Sequence, residues 1–302
     1  MHDPTDRLAE ARAFYGRSMA AASGSGDPRI GEVFETLPRE AFLPTGPWHM
    51  LVAQQYIETP SADPVHLYRN ALIALDVERG INNGEPFLHA AWIGAVAPRP
   101  GETVIHIGAG GGYYTAALAR LVEPGGKVFA YEIDERLAEM ARRNLAPYGN
   151  VTLIHADAVE ARLKRADIIY VNAGVVAPPV SWLKALKPGG RMIFPWRPAQ
   201  EIGLAVLATR ARAGFAIRIV GGSWFIPCSG ASDRALSLKA PSPREARTSR
   251  SIVLTSERAP DDTATAIYPE VWFSSEAVKG KETVRERIRA IQLAESKELP
   301  AK

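Results

Sequence analysis

The chain has 302 residues, 46% hydrophobic and 23% charged, which is enough apolar content for a large buried core and too much for a disordered segment. Its 36 Lys and Arg against 33 Asp and Glu leave a formal +3, and a sequence pI near 9.0 reached by so few charges over this length is no strong nucleic-acid signature. The single cysteine, Cys228, excludes an intramolecular disulfide and a cysteine-based zinc cluster, and no stretch approaches the roughly 20 apolar residues of a membrane span.

From Asp3 to Ala22, helix formers carry Leu8, Ala11, Phe14, Tyr15 and Met19 near helical spacing, and Ser23 to Pro28 breaks them. Charges at Asp3, Asp6, Arg7 and Glu10 leave no signal-peptide core, so a cytoplasmic protein is expected, with Cys228 a buried bystander thiol. A second helix is expected from Pro28, and an irregular stretch rich in Pro, Trp and His follows Pro44. Leu72–Val77 reads as a short strand and Glu78–Gly84 as a polar turn. Pro86 opens a helix that Pro98 to Gly101 stops.

Strand and helix patterns then alternate. Strands are expected from Val104, over Val128–Ile133, Val151–Ile154, Ala166–Asn172 and Arg191–Pro195; helices follow the first, over Glu135–Asn144 and over Pro179–Leu186. Such alternation predicts a doubly wound, mainly parallel α/β sheet covered on both faces. Ile202–Ala208, Ala216–Val220, Ser251–Thr255 and Val271–Phe273 read as further strands, and Arg234–Arg250 as an exposed basic loop. Val284, Ile288 and Ile291 mark a C-terminal helix. The expected division is a helical cap over residues 1–100, a ligand-binding core over 101–220 and a β-rich extension over 221–302.

Chemistry concentrates where strands end. Gly108, Gly110 and Gly112 alternate between the β-branched run of the first core strand and a helix beginning near Thr115, an order that offers backbone N–H groups to a polar ligand. Glu132, about twenty residues past Gly112, ends the second strand, where a carboxylate accepts from both ribose hydroxyls while Ile133 faces a purine. Asp157, followed by Ala158, ends the third and can accept from an exocyclic amine. These residues suit a nucleoside ligand and do not separate a dinucleotide from S-adenosylmethionine.

With Leu186-Lys187-Pro188-Gly189-Gly190-Arg191, this order resembles the class I S-adenosylmethionine-dependent methyltransferases. It is similar, more narrowly, to the protein-L-isoaspartate O-methyltransferase family through Arg39-Glu40-Ala41-Phe42-Leu43-Pro44, Pro86-Phe87-Leu88-His89-Ala90 and Gly112-Tyr113-Tyr114-Thr115-Ala116, all within Glu32 to Pro195. The resemblance implies S-adenosylmethionine as cofactor, held by His106, Gly108, Ala109, Gly110, Gly112, Tyr113, Glu132, Ile133, Asp157, Ala158 and Asn172. It implies an acceptor site from Tyr68, Asn83, Gly84 and Pro86, and no metal.

Four positions depart from the family pattern. His106 stands where the family has Glu or Asp, Gly84 where it has Ser, Glu85 adds a carboxylate beside it, and Asn70 replaces an acid. A second carboxylate beside a carboxylate substrate is unfavourable, so the expected acceptor is not isoaspartate but a small molecule or modified peptide. Glu85 or His89 would then take a proton from an amine or hydroxyl acceptor. Isoaspartate methylation, a cofactor-binding protein without catalysis and a nicotinamide dehydrogenase are the alternatives.

Overall fold

The computed structural model describes residues 4–278. The expected helix around Val284, Ile288 and Ile291 lies outside the described residues.

The front of the chain forms a cap. Helix α1 (Pro4–Ser23) packs on α2 (Pro28–Thr36), whose start is fixed by Pro28 in the first turn and by Asp27 accepting from the Arg29 N–H at 3.0 Å. The irregular stretch contains a hairpin, β1 (His49–Val52) and β2 (Gln55–Glu58), and the polar turn joins a second one, β3 (Ala74–Asp76) and β4 (Ile81–Asn82). The cap is locked by Arg39, 1% exposed, whose guanidinium donates to the backbone oxygens of Leu67, Arg69 and Ala71. Tyr68 adds a hydroxyl that donates to Glu40 at 2.6 Å and accepts from Arg12 at 2.8 Å. Helix α3 (Pro86–Val96) then leads to the sheet.

The core elements follow as β5 (Thr103–Ile107), α4 (Tyr113–Leu121), β6 (Lys127–Glu132), α5 (Glu135–Asn144), β7 (Val151–His155), β8 (Ala166–Val171), α6 (Val180–Ala185) and β9 (Leu186–Trp196). Strands β10 (Leu204–Arg210) and β11 (Phe215–Gly222), helix α7 (Pro243–Thr248), and strands β12 (Ser251–Leu254), β13 (Ala264–Ile267) and β14 (Val271–Ser274) complete the described chain. One ten-stranded sheet holds the last ten strands in the order β13-β14-β12-β11-β10-β9-β8-β5-β6-β7, parallel from β9 to β7 and antiparallel beyond β9. Along β8, Ile168 and Tyr170 enter the core on the cap side while Ile169 and Val171 enter the core of Trp182 and Phe194, so the period of two buries both faces.

The structure differs from the sequence expectations in three places. Lys187–Gly190, between the expected helix to Leu186 and the expected strand from Arg191, is a bulge inside β9: Ala166 faces Leu186 and Ile168 already faces Arg191. The expected basic loop contains α7, started by Pro243 in its first turn and a capping box between Ser242 and Glu245. The last strands continue the main sheet, β12 pairing with β11 and Phe273 stacking on Trp196 at 4.0 Å.

Candidate active site

Chain order reverses at β5: β6 and β7 extend one way, β8 and β9 the other. The crevice at the carboxyl ends beside such a reversal is where open α/β sheets bind ligands, and here it is a cavity of about 510 Å³ roofed by the cap. The turn after β5 is anchored to the neighbouring strand, with the Gly108 and Ala109 N–H groups donating to the Tyr131 oxygen at 2.9 and 3.1 Å. Gly112 caps α4 at φ 94°, a left-handed conformation that favours glycine, and a Cβ there would meet Leu145 at 2.9 Å.

Glu132 is the central polar group of the cavity. Its carboxylate accepts from the Gly110 N–H at 2.7 Å and from the Asp134 N–H at 3.0 Å, which holds the glycine turn and the end of β6 in one unit. Burial pushes the carboxyl above its ordinary value, and those two N–H groups pull it back. Each oxygen keeps a lone pair for further donors. Asp157 accepts from the Val159 N–H at 2.8 Å and lies on the same wall, with Ile133 and Ala158.

His106 lies behind this wall, not in it. It is fully buried, one ring nitrogen 2.8 Å from the Thr115 hydroxyl and the other 2.9 Å from the Asn172 amide nitrogen. Burial pushes its pKa down to about 3, so the imidazole is neutral at physiological pH and cannot repel a cationic ligand. Asn172 does line the cavity, and its side-chain oxygen is buried without a partner. Such an orphaned acceptor at a ligand wall awaits a donor.

The cap contributes Asn83, Gly84, Glu85 and His89 to the cavity, whose lining also includes Tyr113 and Tyr114. His89 stacks on Tyr114 at 3.6 Å and places one nitrogen 2.9 Å from the Tyr170 hydroxyl. Its Nε2 has no partner and lies where a Cβ on Gly84 would be, at 2.3 Å. A serine at position 84 and this histidine rotamer exclude each other. Burial, then the nearby His106, keeps His89 well below its ordinary pKa.

The cavity thus brings together Gly108, Ala109, Gly110, Tyr113, Glu132, Ile133, Asp157, Ala158 and Asn172 with Asn83, Gly84, Glu85 and His89. Tyr68, Pro86, Gly112 and His106 stand outside its lining. Sequence reasoning missed Leu75 and Arg79 on the second hairpin, and the segment from Gly222 to Ser229 that runs along the cleft. In that segment Phe225 stacks on Trp92 at 5.3 Å and meets His89 edge-on at 5.9 Å, while Trp224 is 60% exposed. The available signal was two adjacent aromatics between Gly221-Gly222 and Pro227, outside any strand.

Cys228 closes this segment, and burial with the charge of Asp157 pushes its thiol up to about 12. Iodoacetamide at pH 8 is therefore expected to alkylate Cys228 at least about a hundredfold more slowly in the folded protein than in urea. Equal rates would show that the segment opens freely. Among the described residues no three His, Cys, Asp or Glu side chains gather as a metal site, and no helix is long and apolar enough to cross a membrane.

The protein-L-isoaspartate(D-aspartate) O-methyltransferase family model matches residues 21–233, a longer span than Glu32 to Pro195 and one that takes in the segment after β11. A protein-L-isoaspartate O-methyltransferase of Methylorubrum extorquens is 32% identical over 228 residues, 74% of this chain and 91% of the relative. One from Methanopyrus kandleri is 31% identical over 207 residues, 67% of this chain and 84% of the relative. Among solved structures, a protein-L-isoaspartate O-methyltransferase superposes with a TM-score of 0.62 at 22% identity, covering 88% of each chain, which shows the shared fold. A Plasmodium falciparum β-aspartate methyltransferase solved with S-adenosyl-L-homocysteine gives a TM-score of 0.58 at 16% identity, over 72% of this chain and 98% of that one.

Proposed function

Because this chain belongs to the protein-L-isoaspartate(D-aspartate) O-methyltransferase family, and is thereby an S-adenosylmethionine-dependent methyltransferase, we propose that its acceptor is the carboxylate of an isoaspartyl or D-aspartyl residue in a peptide or protein. The observation that carries the donor half is Glu132, a buried carboxylate with free lone pairs that already holds the glycine turn. The acceptor half rests on the family match, which covers both walls of the cleft.

S-adenosylmethionine supplies an electrophilic methyl group on a cationic sulfonium, and the residues present suit it. Four carboxylates line the cavity, those of Glu85, Glu132, Asp134 and Asp157, against the single guanidinium of Arg79, so the wall favours a cation. Glu132 accepts from ribose hydroxyls, Asp157 from the adenine amine, Ile133 and Ala158 flank the purine, and the orphaned Asn172 oxygen accepts an N–H. The cap excludes water from the other end.

A carboxylate acceptor is already a nucleophile, so no side chain has to remove a proton before the in-line displacement. On this reading Glu85 and His89 are not bases. The neutral His89, its Nδ1 2.9 Å from the Tyr170 hydroxyl, turns an unpartnered Nε2 to this wall as a hydrogen-bonding group for the acceptor. Residues 101–220 hold the donor, the residues before them shape the acceptor wall, and the segment Gly222–Ser229 of the 221–302 extension covers the cleft.

A second reading, an acceptor other than isoaspartate, is favoured by one feature: Gly84 brings no hydroxyl to this wall and His89 fills its place. Transfer of labelled methyl to an isoaspartyl peptide, set beside its aspartyl isomer, separates the two. The family reaction requires labelling of the isoaspartyl form; a protein that binds the cofactor and labels neither has another acceptor.

A further inference from the structure

The acceptor end of the cleft carries a charge that none of the cofactor contacts use. Glu85 is exposed at the mouth, immediately before α3, and lines the cavity. Among the described residues no Lys, Arg or His comes within ion-pair distance of it. The other cavity charges belong to the nucleoside side: Arg79 pairs with Asp134 at 2.6 Å, two residues from Glu132, and Asp157 lies beyond them.

Glu85 is also held in place. The Asn70 side-chain oxygen accepts from the Phe87 N–H at 2.8 Å, which fixes the orientation of the amide, so its NH₂ group must face Glu85, to which it donates at 2.7 Å. Asn70 in turn sits on the loop whose carbonyls at Leu67, Arg69 and Ala71 bind the buried Arg39. The adjoining backbone is tied as well, with the Gly84 N–H on Asn82 at 3.0 Å and the Gly84 oxygen accepting from the Tyr114 hydroxyl at 3.3 Å. An Asp at position 70 would set a second carboxylate against Glu85; Asn70 supplies a donor and leaves the other Glu85 oxygen free. The same cavity is lined by His89, whose Nε2 is fully buried and unpartnered.

We propose that Glu85, oriented by Asn70, is a specificity-determining residue that selects acceptors bearing an ammonium or guanidinium group beside the methylated carboxylate. The proposal rests on the family reading for which end of the cleft the acceptor enters. It makes the substrate a peptide whose damaged site is flanked by Lys or Arg, where the flanking cation offsets the repulsion between Glu85 and the acceptor carboxylate.

The test uses two isoaspartyl hexapeptides, one with lysines and one with glutamates around the isoaspartate, measured as methyl acceptors and as ligands of the protein saturated with S-adenosylhomocysteine. The lysine peptide is expected to show a KM lower by roughly threefold to fivefold, the range of one exposed ion pair, and the advantage to shrink as salt rises. Glu85→Gln, which keeps an acceptor for Asn70, erases the preference, and Glu85→Lys inverts it. Methylation of both peptides with equal KM overturns the assignment and leaves the family reaction standing. Charge-selective binding without methylation, lost in Glu85→Gln, upholds the role of Glu85 and overturns isoaspartate as acceptor. Absence of binding by either peptide overturns both.

Discussion

Glu132→Ala is expected to weaken the binding of S-adenosylmethionine and S-adenosylhomocysteine by at least about a hundredfold, the loss of two hydrogen bonds to a charged acceptor. The substitution removes more than the proposed ribose contacts. The Gly110 and Asp134 N–H groups lose their shared acceptor, so the glycine turn and the end of β6 are no longer held together. The folded state itself should tolerate the change, because burial already disfavours the Glu132 charge. In the unsubstituted protein, affinity should fall with acid, since the hydroxyls donate to the ionised form and the raised carboxyl loses its charge at a higher pH than an exposed glutamate. Isothermal titration at pH 7.5 and 5.5 measures both effects, and near-equal affinities for Glu132→Ala and the unsubstituted protein would remove this residue from the cofactor site.

The second large effect is on stability. His106 is pushed down to about 3 and His89 well below its ordinary value, both first by burial. In the unfolded chain each titrates near 6.5, so below that pH the unfolded state binds protons that the folded state refuses, and stability falls as the pH falls. The contribution is fully present above about pH 6.5 and for His106 is lost progressively down to about pH 3. Each buried histidine costs about 1.4 kcal/mol per pH unit within that window, so from pH 6.5 to 5 the pair removes up to about 4 kcal/mol. Urea denaturation of His106→Asn should show about half that pH dependence. An unchanged slope would mean that His106 is not buried in its neutral form.

The parts of the fold legible in the sequence were those written by hydrophobic period and strand-end chemistry. Strand β5 and the turn after it, Glu132 at the end of β6 and Asp157 after β7 could be placed because the carboxyl ends of a parallel sheet all face one crevice. Local geometry that breaks the usual residue preferences could not. The β1–β2 hairpin turns through Ala53 and Gln54 at φ 47° and 67°, positions normally marked by Gly or Asn. Helix α7 lies within the stretch read as an exposed basic loop, and Pro243 occupies its first turn, where a missing N–H costs nothing.

The site shows the same limit. His106, read as a cofactor contact, lies behind the wall against Asn172, which follows directly on β8 and takes the position that lines the cavity. The segment from Gly222 to Ser229 reaches the cleft only because β11 runs parallel to β9, two strands away, and so ends on the same edge. No local pattern carries that information. Gly84 looked like a simple loss of a hydroxyl; packing shows a paired arrangement, a glycine without which His89 has no room.

The most direct measurement is transfer of the labelled methyl of S-adenosylmethionine to a peptide containing L-isoaspartate, with its L-aspartyl isomer as control and base treatment of the product. The account predicts base-labile label on the isoaspartyl peptide alone, as expected for a carboxyl methyl ester. Label that resists base, or a cofactor-binding protein that leaves the isoaspartyl peptide unlabelled, would contradict it.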